Sequence, residues 1–205
     1  TQVLDHWTPT DLLYARGGRP LDETALFYDC SALVLPVSGV MQTKLSVGEA
    51  FVEETISFER PLYALAGSCR TRHLNKPLTL IAILFRREYL RILSVRVDPA
   101  DCARSERRKL WYHTPRGLDA AGRHLKQALD DMAAGDLHGR GPAGVAYALV
   151  EAAMRELRRP DDGRQSKSRQ TWLAIREYIF ENLREPLDRD TIAAEFNLNA
   201  SYVSR

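Results

Sequence analysis

"DRDTIAAEFNLNASYVSR" (Asp188–Arg205) closes the sequence. Asp188 and Asp190 are both acceptable helix caps, and they precede an apolar–small pair, Ile192 and Ala193, with Phe196 one turn further on. Short side chains that accept a hydrogen bond from the first free amides start helices. Asn197 then tolerates the left-handed backbone that a sharp turn needs. Leu198 supplies an apolar plug, and Asn199 a second cap ahead of Ala200–Arg205. The order is a short helix, a turn and the first turns of another helix, with Val203 as the second helix's first inward residue.

That order is the grammar of a helix-turn-helix. In such motifs the N-terminal residues of the second helix meet base edges in the major groove. Here they are Ala200, Ser201, Tyr202, Ser204 and Arg205. Upstream, "TWLAIREYIFENL" spaces Trp172, Ile175, Ile179 and Leu183 by three and four, which predicts a helix with those residues inward; Pro186 ends it. Between Arg155 and Gln170 the composition changes to basic residues with Pro, Gly and Ser, as in a solvated linker.

Further upstream two more helical patterns appear. Leu118, Leu125, Leu129 and Met132 share one face; Val145, Leu149, Ala152, Ala153 and Leu157 share another. Such faces cover a β unit or pair with a second subunit, and Leu125, Leu129 and Leu149 are the candidate dimerisation residues. "ARSERRKLWY" (Ala103–Tyr112) reads as a basic, solvated helix leading into them.

From Thr24 to Asp98 the period is shorter. "TALFY", "SALVLPVSG", "PLYALAG", "SCRTRHL", "LTLIAILF" and "YLRILSVRV" are bounded by turn residues and predict closely spaced strands, hence a sandwich or small barrel. "GEAFVEET" (Gly48–Thr55) fits either a strand or a helix. The expected fold class is α+β, with boundaries at 1–100 for the β domain and its N-terminal arm, 101–160 for the helical region, 161–170 for the linker and 171–205 for the last helices.

The whole chain sets outer limits. With 205 residues, 44% hydrophobic and 27% charged, it has the profile of a soluble globular protein. No apolar run nears the roughly 20 residues of a membrane span, and the N-terminus lacks the pattern of a secretory signal. Cys30, Cys69 and Cys102 are scattered, which suits reduced thiols in the cytoplasm. The five histidines form no close pair, so neither a metal nor another cofactor is expected. "GRGPAG" (Gly139–Gly144) lacks the lysine of a phosphate loop, and no Gly-x-Ser-x-Gly elbow occurs. The chain therefore reads as a non-enzyme.

"TIAAEFNLNASYVSR" resembles the first helix-turn-helix of AraC/XylS-type transcription regulators. There a long helix precedes a pattern like "l-A-e-e-l-g-l-S-p-s-y-L-s-r". Ala193, Phe196, Leu198, Tyr202, Ser204 and Arg205 follow it. Asn197 stands for the usual Gly, Asn199 for Ser and Ala200 for Pro, all mild changes. "FERPLYALAGS" (Phe58–Ser68) is similar to the entry into the family's cupin-like sensor domain. The resemblance implies a cupin-like β-barrel or sandwich that binds a small-molecule effector, then dimerising helices and the first of two DNA-reading units, within which this chain ends, so that it lacks most of the DNA-binding domain and is expected to bind DNA poorly. It implies double-stranded DNA, an effector, a second copy of the chain and RNA polymerase as partners. Arg60, Tyr63, Arg70, Arg72 and His73, on and around the strands that carry the likeness, are the candidate effector residues; several arginines together suit an anion such as a carboxylate. Two other readings compete with this one. One is a cupin-like binding protein or enzyme with a helical tail, which a stoichiometric metal would favour; the other is an unrelated regulator with a single helix-turn-helix.

Overall fold

The computed structural model describes residues 7–18, 25–71, 76–99, 108–114, 116–159, 167–181, 186–196 and 198–203. It divides into two compact units, Thr1–Arg159 and Pro160–Arg205. The 101–160 region expected as a separate helical module thus belongs with the β part.

The first unit contains two open antiparallel-rich sheets. Strands β1 (Leu13–Ala15), β3 (Ala32–Ser38), β6 (Leu62–Ala64), β8 (Leu78–Phe85), β9 (Leu90–Val97) and β10 (Arg108–His113) form a six-stranded sheet in the order β1-β6-β3-β8-β9-β10. Strands β2 (Leu26–Phe27), β4 (Met41–Val47), β5 (Ala50–Ile56) and β7 (Cys69–Arg70) form a four-stranded sheet in the order β2-β7-β4-β5. The fold is therefore α+β with two sheets, and neither sheet closes into a barrel.

Both connections of β4 depend on glycine. Gly39 (φ 76°) turns the chain from β3 in one sheet to β4 in the other, and Gly48 (φ 63°) opens the two-residue β4–β5 hairpin turn; both are in the left-handed region, where a side chain would strain the backbone. At Gly39 a Cβ would also lie 2.6 Å from the Pro77 carbonyl oxygen.

Alternation along the strands sorts side chains between two cores. Ala32 and Val34 of β3, Leu62 and Ala64 of β6, and Leu80 and Ala82 of β8 face the smaller sheet, meeting Met41, Leu45 and Ile56. Their neighbours Leu33, Leu35, Tyr63, Ile83 and Phe85 face the opposite way. There they meet helices α1 (Ala120–Ala134) and α2 (Arg140–Arg158) through Leu129, Ala133, Ala146, Leu149, Val150 and Ala153. The six-stranded sheet is thus a middle layer covered on both faces. This explains why "ALVLP" is apolar without alternation: every position from Ala32 to Pro36 is buried.

Asp119 caps α1, its side chain accepting from the Gly122 amide at 2.7 Å. A polar bridge crosses the helix–sheet interface. Tyr63 donates to Asp130 Oδ1 at 2.7 Å, Ser31 donates to the same oxygen at 2.9 Å, and Lys126 Nζ lies 2.6 Å from Oδ2. Burial, and then the Asp130 charge, hold the Tyr63 phenol far above the usual tyrosine range, so it stays a donor.

A second clasp ties the N-terminal strand to the α1–α2 turn. Tyr14 donates to the Leu137 carbonyl at 2.7 Å, the Gly139 amide donates to Asp11 Oδ1 at 2.7 Å, and Arg16 pairs with Asp136 at 3.1 Å. His138 bridges Leu12 O and Asp136 Oδ1, each at 3.1 Å. Burial, together with the charges of Asp11 and Asp136, pushes the Tyr14 phenol up to about 12.

Three sequence expectations are corrected. "RKLWYH" is strand β10, paired antiparallel with β9 through Leu110↔Ser94 and Trp111↔Leu93, and not part of a basic helix. Gly48–Thr55 resolves as a turn and strand, because β5 pairs along its whole length with β4. Leu129 and Leu149 are fully buried against this chain's own sheet, and Leu125 packs partly against the same core, so these leucines do not form a face for a second subunit.

Leu149→Asp should therefore unfold the first unit instead of merely separating subunits. A charge left unpaired in a core costs several kcal/mol, of the order of total stability. Circular dichroism with light scattering checks this: lost cooperative melting is expected, whereas a folded monomer would restore the dimer assignment.

Candidate nucleic-acid interface

The second unit holds α3 (Lys167–Glu181), α4 (Arg189–Glu195) and α5 (Ala200–Val203). Asp188 is the N-cap of α4: its side chain accepts from the Thr191 amide at 2.7 Å. Hydrogen bonds from the Thr191 amide and hydroxyl hold its carboxyl below the usual range. Asp190 adds an acid in the first turn, favourable beside the helix's positive end.

Ile192 and Ala193 are buried, as their spacing predicts. The helix ends at Phe196, whose ring meets Tyr178 of α3 edge-on at 5.6 Å between centroids. After the turn the Leu198 amide donates back to the Ala193 carbonyl at 2.8 Å, which satisfies one of the carbonyls a helix end leaves free. Asn199 then caps α5: its Oδ1 accepts from both the amide and the hydroxyl of Ser201, each at 2.9 Å. Ser201 is exposed at the start of α5, and Ala200 is partly buried. Helix, turn and capped helix stand in the expected order. Asn197, Ser204 and Arg205 lie outside the described residues, as does the Tyr202 side chain.

The α3 face is rotated by one position from its expected register. Leu173 is buried, whereas Trp172 is 55% exposed and lies under the Arg176 guanidinium at 5.0 Å. Ile175 and Ile179 are partly buried. A tryptophan within the three–four spacing mimics an inward residue, but a cation over its ring also stabilises it at the surface. Leu183 lies outside the described residues.

The three described effector candidates are not gathered at one place. Arg60 sits in the β5–β6 turn, paired with Glu54 at 3.2 Å and Asp11 at 3.5 Å. Tyr63 points to the helices and is committed to Asp130. Arg70 is buried on the smaller sheet, donating from Nε to Tyr28 Oη at 2.8 Å and from Nη1 to the Thr71 carbonyl at 2.9 Å. Arg72 and His73 lie outside the described residues. Tyr63 lies on the helix side of the six-stranded sheet and Arg70 on the smaller sheet facing its other side, so the two cannot share a ligand. Sequence reasoning overlooked Tyr28, whose only signal was an apolar neighbourhood. It also overlooked Asp130, one of two adjacent aspartates on a polar helix surface.

Two open concavities mark the first unit. One, of about 560 Å³, is lined by Asp119, Glu151, Arg155, Glu156, Arg158 and Arg159; the other, of about 500 Å³, by Arg16, Gly17, Val47, Gly48, Leu65 and Ala134. Neither includes an effector candidate. Among the described residues no group of three or more His, Cys, Asp or Glu side chains is poised to hold a metal ion. Nor is any described helix long and apolar enough to cross a membrane. No family model, curated protein or solved structure matches the chain.

The α4 cap carries a pH dependence whose sign follows from the depressed Asp188 carboxyl. Its stabilisation is complete above the unfolded value of about 3.9 and is lost as pH falls through the lower folded value. Below about pH 4 the Thr191 amide should lose protection from hydrogen exchange. Asp188→Asn, which caps without a charge, should flatten that profile; an unchanged profile would place the acid sensitivity elsewhere.

Proposed function

We propose that the protein is a ligand-responsive transcription regulator of the AraC/XylS type, in which α4 and α5 present a reading head to double-stranded DNA. The observation that carries the reading is the doubly capped turn. Asp188 starts α4, the Leu198 amide closes its end on Ala193, and Asn199 starts α5 with Ser201 exposed at its tip. A capped helix start with an exposed Ser at its tip is the part of a helix-turn-helix that meets phosphates and base edges; on DNA the Ser201 hydroxyl would exchange its bond to Asn199 for one to the duplex.

The first unit is the sensing part and is cupin-like in this reading. Two sheets packed face to face around an apolar interlayer support it. Effector binding controls DNA binding only if the effector prefers one arrangement of the protein. A homodimer and RNA polymerase belong to the same proposal. With Leu129 and Leu149 committed to the sheet, a dimer contact falls to outward residues such as the exposed Tyr147 of α2.

Fluorescence anisotropy with a labelled random-sequence duplex tests the reading. Binding is expected at low salt, weakening steeply as salt rises through counterion release. Ser201→Asp places a negative charge where the phosphates approach and should reduce affinity at least ~10-fold. Absence of binding at low salt, or indifference to Ser201→Asp, would contradict it.

A further inference from the structure

The smaller sheet ends on β5, whose register with β4 runs unbroken from Met41↔Ile56 to Val47↔Ala50. Bonds on the far side of β4 fix which way the β5 backbone points. The Lys44 carbonyl accepts from the Thr71 amide at 3.0 Å, and the Ser46 carbonyl from the Arg16 amide at 2.8 Å. Both carbonyls therefore point away from β5. Glu53 and Phe51 stand directly opposite Lys44 and Ser46, so they form the non-hydrogen-bonded pairs of this antiparallel ladder. Their amides and carbonyls, and by alternation those of Thr55, point out of the sheet. Among the described residues nothing takes these groups.

An open edge is a template for another strand unless shortness, proline, a bulge or lysine blunts it. β5 has seven residues and none of these devices. Its charges are Glu53 and Glu54, and Glu54 is held by Arg60 at 3.2 Å. The other edges differ: β1 and β2 have three and two residues, and β10 opens with Arg108 and Lys109.

The side chains say which strand fits. Val52 stands directly opposite Leu45 and shares its face, the one toward the interlayer. Leu45 is buried, yet Val52 is 42% exposed, so the apolar row breaks off in water. A second β5, laid antiparallel about a two-fold axis through Val52, continues the row through the partner's Val52 to the partner's Leu45. On the other face Phe51 then stands opposite the partner's Glu53. A two-fold through Glu53 or Glu54 sets that carboxylate against its own copy, and one through Phe51 sets Glu49 against the partner's Glu53. Like charges directly opposite are destabilising. The Val52 register keeps the acids apart.

We propose that β5 pairs antiparallel with β5 of a second copy of this chain, about a two-fold axis through Val52, joining the two smaller sheets into one. This rests on the homodimer of the regulator reading and names its surface. The exposed Tyr147 offers a side chain to a partner; β5 offers unpaired backbone as well.

Sedimentation equilibrium of the whole chain without DNA tests the proposal, so its failure is separate from failure of the DNA-reading head. A dimer is expected at ~100 μM chain, as suits a small contact. Glu53→Pro removes an amide that faces the partner and that β4 does not use. It should keep the parent's circular dichroism melt and weaken association at least ~10-fold. Tyr147→Asp should leave the dimer intact. Val52→Cys places two thiols across a non-hydrogen-bonded pair, about 4.5 Å apart at Cα, within reach of a disulfide. Oxidised glutathione should link that variant into a covalent dimer that dithiothreitol releases, and should not link Thr55→Cys. A monomeric parent would overturn the proposal and leave the edge to a strand of another protein. So would a Glu53→Pro dimer as tight as the parent's, loss of the dimer with Tyr147→Asp, or equal linking through Thr55→Cys. A Glu53→Pro chain that does not fold would also overturn it, since that amide would then belong to the β4 ladder.

Discussion

The six-stranded sheet must be covered on both faces, and the rest of the first unit follows from that constraint. Residues 32–36 are buried without a break, so the strand tolerates water on neither side. One face is closed by the smaller sheet and the other by α1 and α2. The Tyr63–Asp130–Ser31 bridge fixes helix α1 on the sheet by a directional contact that apolar packing alone does not provide. The Asp11, Tyr14 and Arg16 contacts do the same for the turn between the helices.

This cover decides what the helices are free to do. Their apolar stripes are consumed inside the chain, so any association between copies uses surfaces left outside, such as that around the exposed Tyr147. The same division separates Tyr63 from Arg70. One belongs to the helix-side core and the other to the interlayer, although seven residues of sequence separate them.

Much of this was legible in the sequence, and the failures have physical causes. Strands β3, β6, β8 and β9 announced themselves through apolar runs broken by turn residues, whereas β4, whose buried residues alternate with Gln42 and Lys44, was not picked out and β5 stayed ambiguous. Asp188 and Asn199 were legible as caps, because capping needs only a short acceptor at a helix start. β10 was hidden because Arg108 and Lys109 resemble a solvated helix, whereas an edge strand carries charge readily. Trp172 was misplaced because spacing reports period and not which of two adjacent residues faces inward. Arg60, Tyr63 and Arg70 are not brought together, because nearness in sequence says nothing about which sheet or which face is shared. The choice between covering a sheet and pairing subunits stayed open for α1 and α2, since either partner satisfies the same stripe.

The capped α4–α5 turn bears the functional weight of the account. Nuclear magnetic resonance of the labelled chain, titrated with duplex DNA at low salt, addresses it residue by residue. The account predicts that the largest amide shifts fall on Asn199 to Val203, with the β strands of the first unit unmoved. Shifts concentrated in the first unit, or spread evenly over the basic surface without preference for α5, would contradict it.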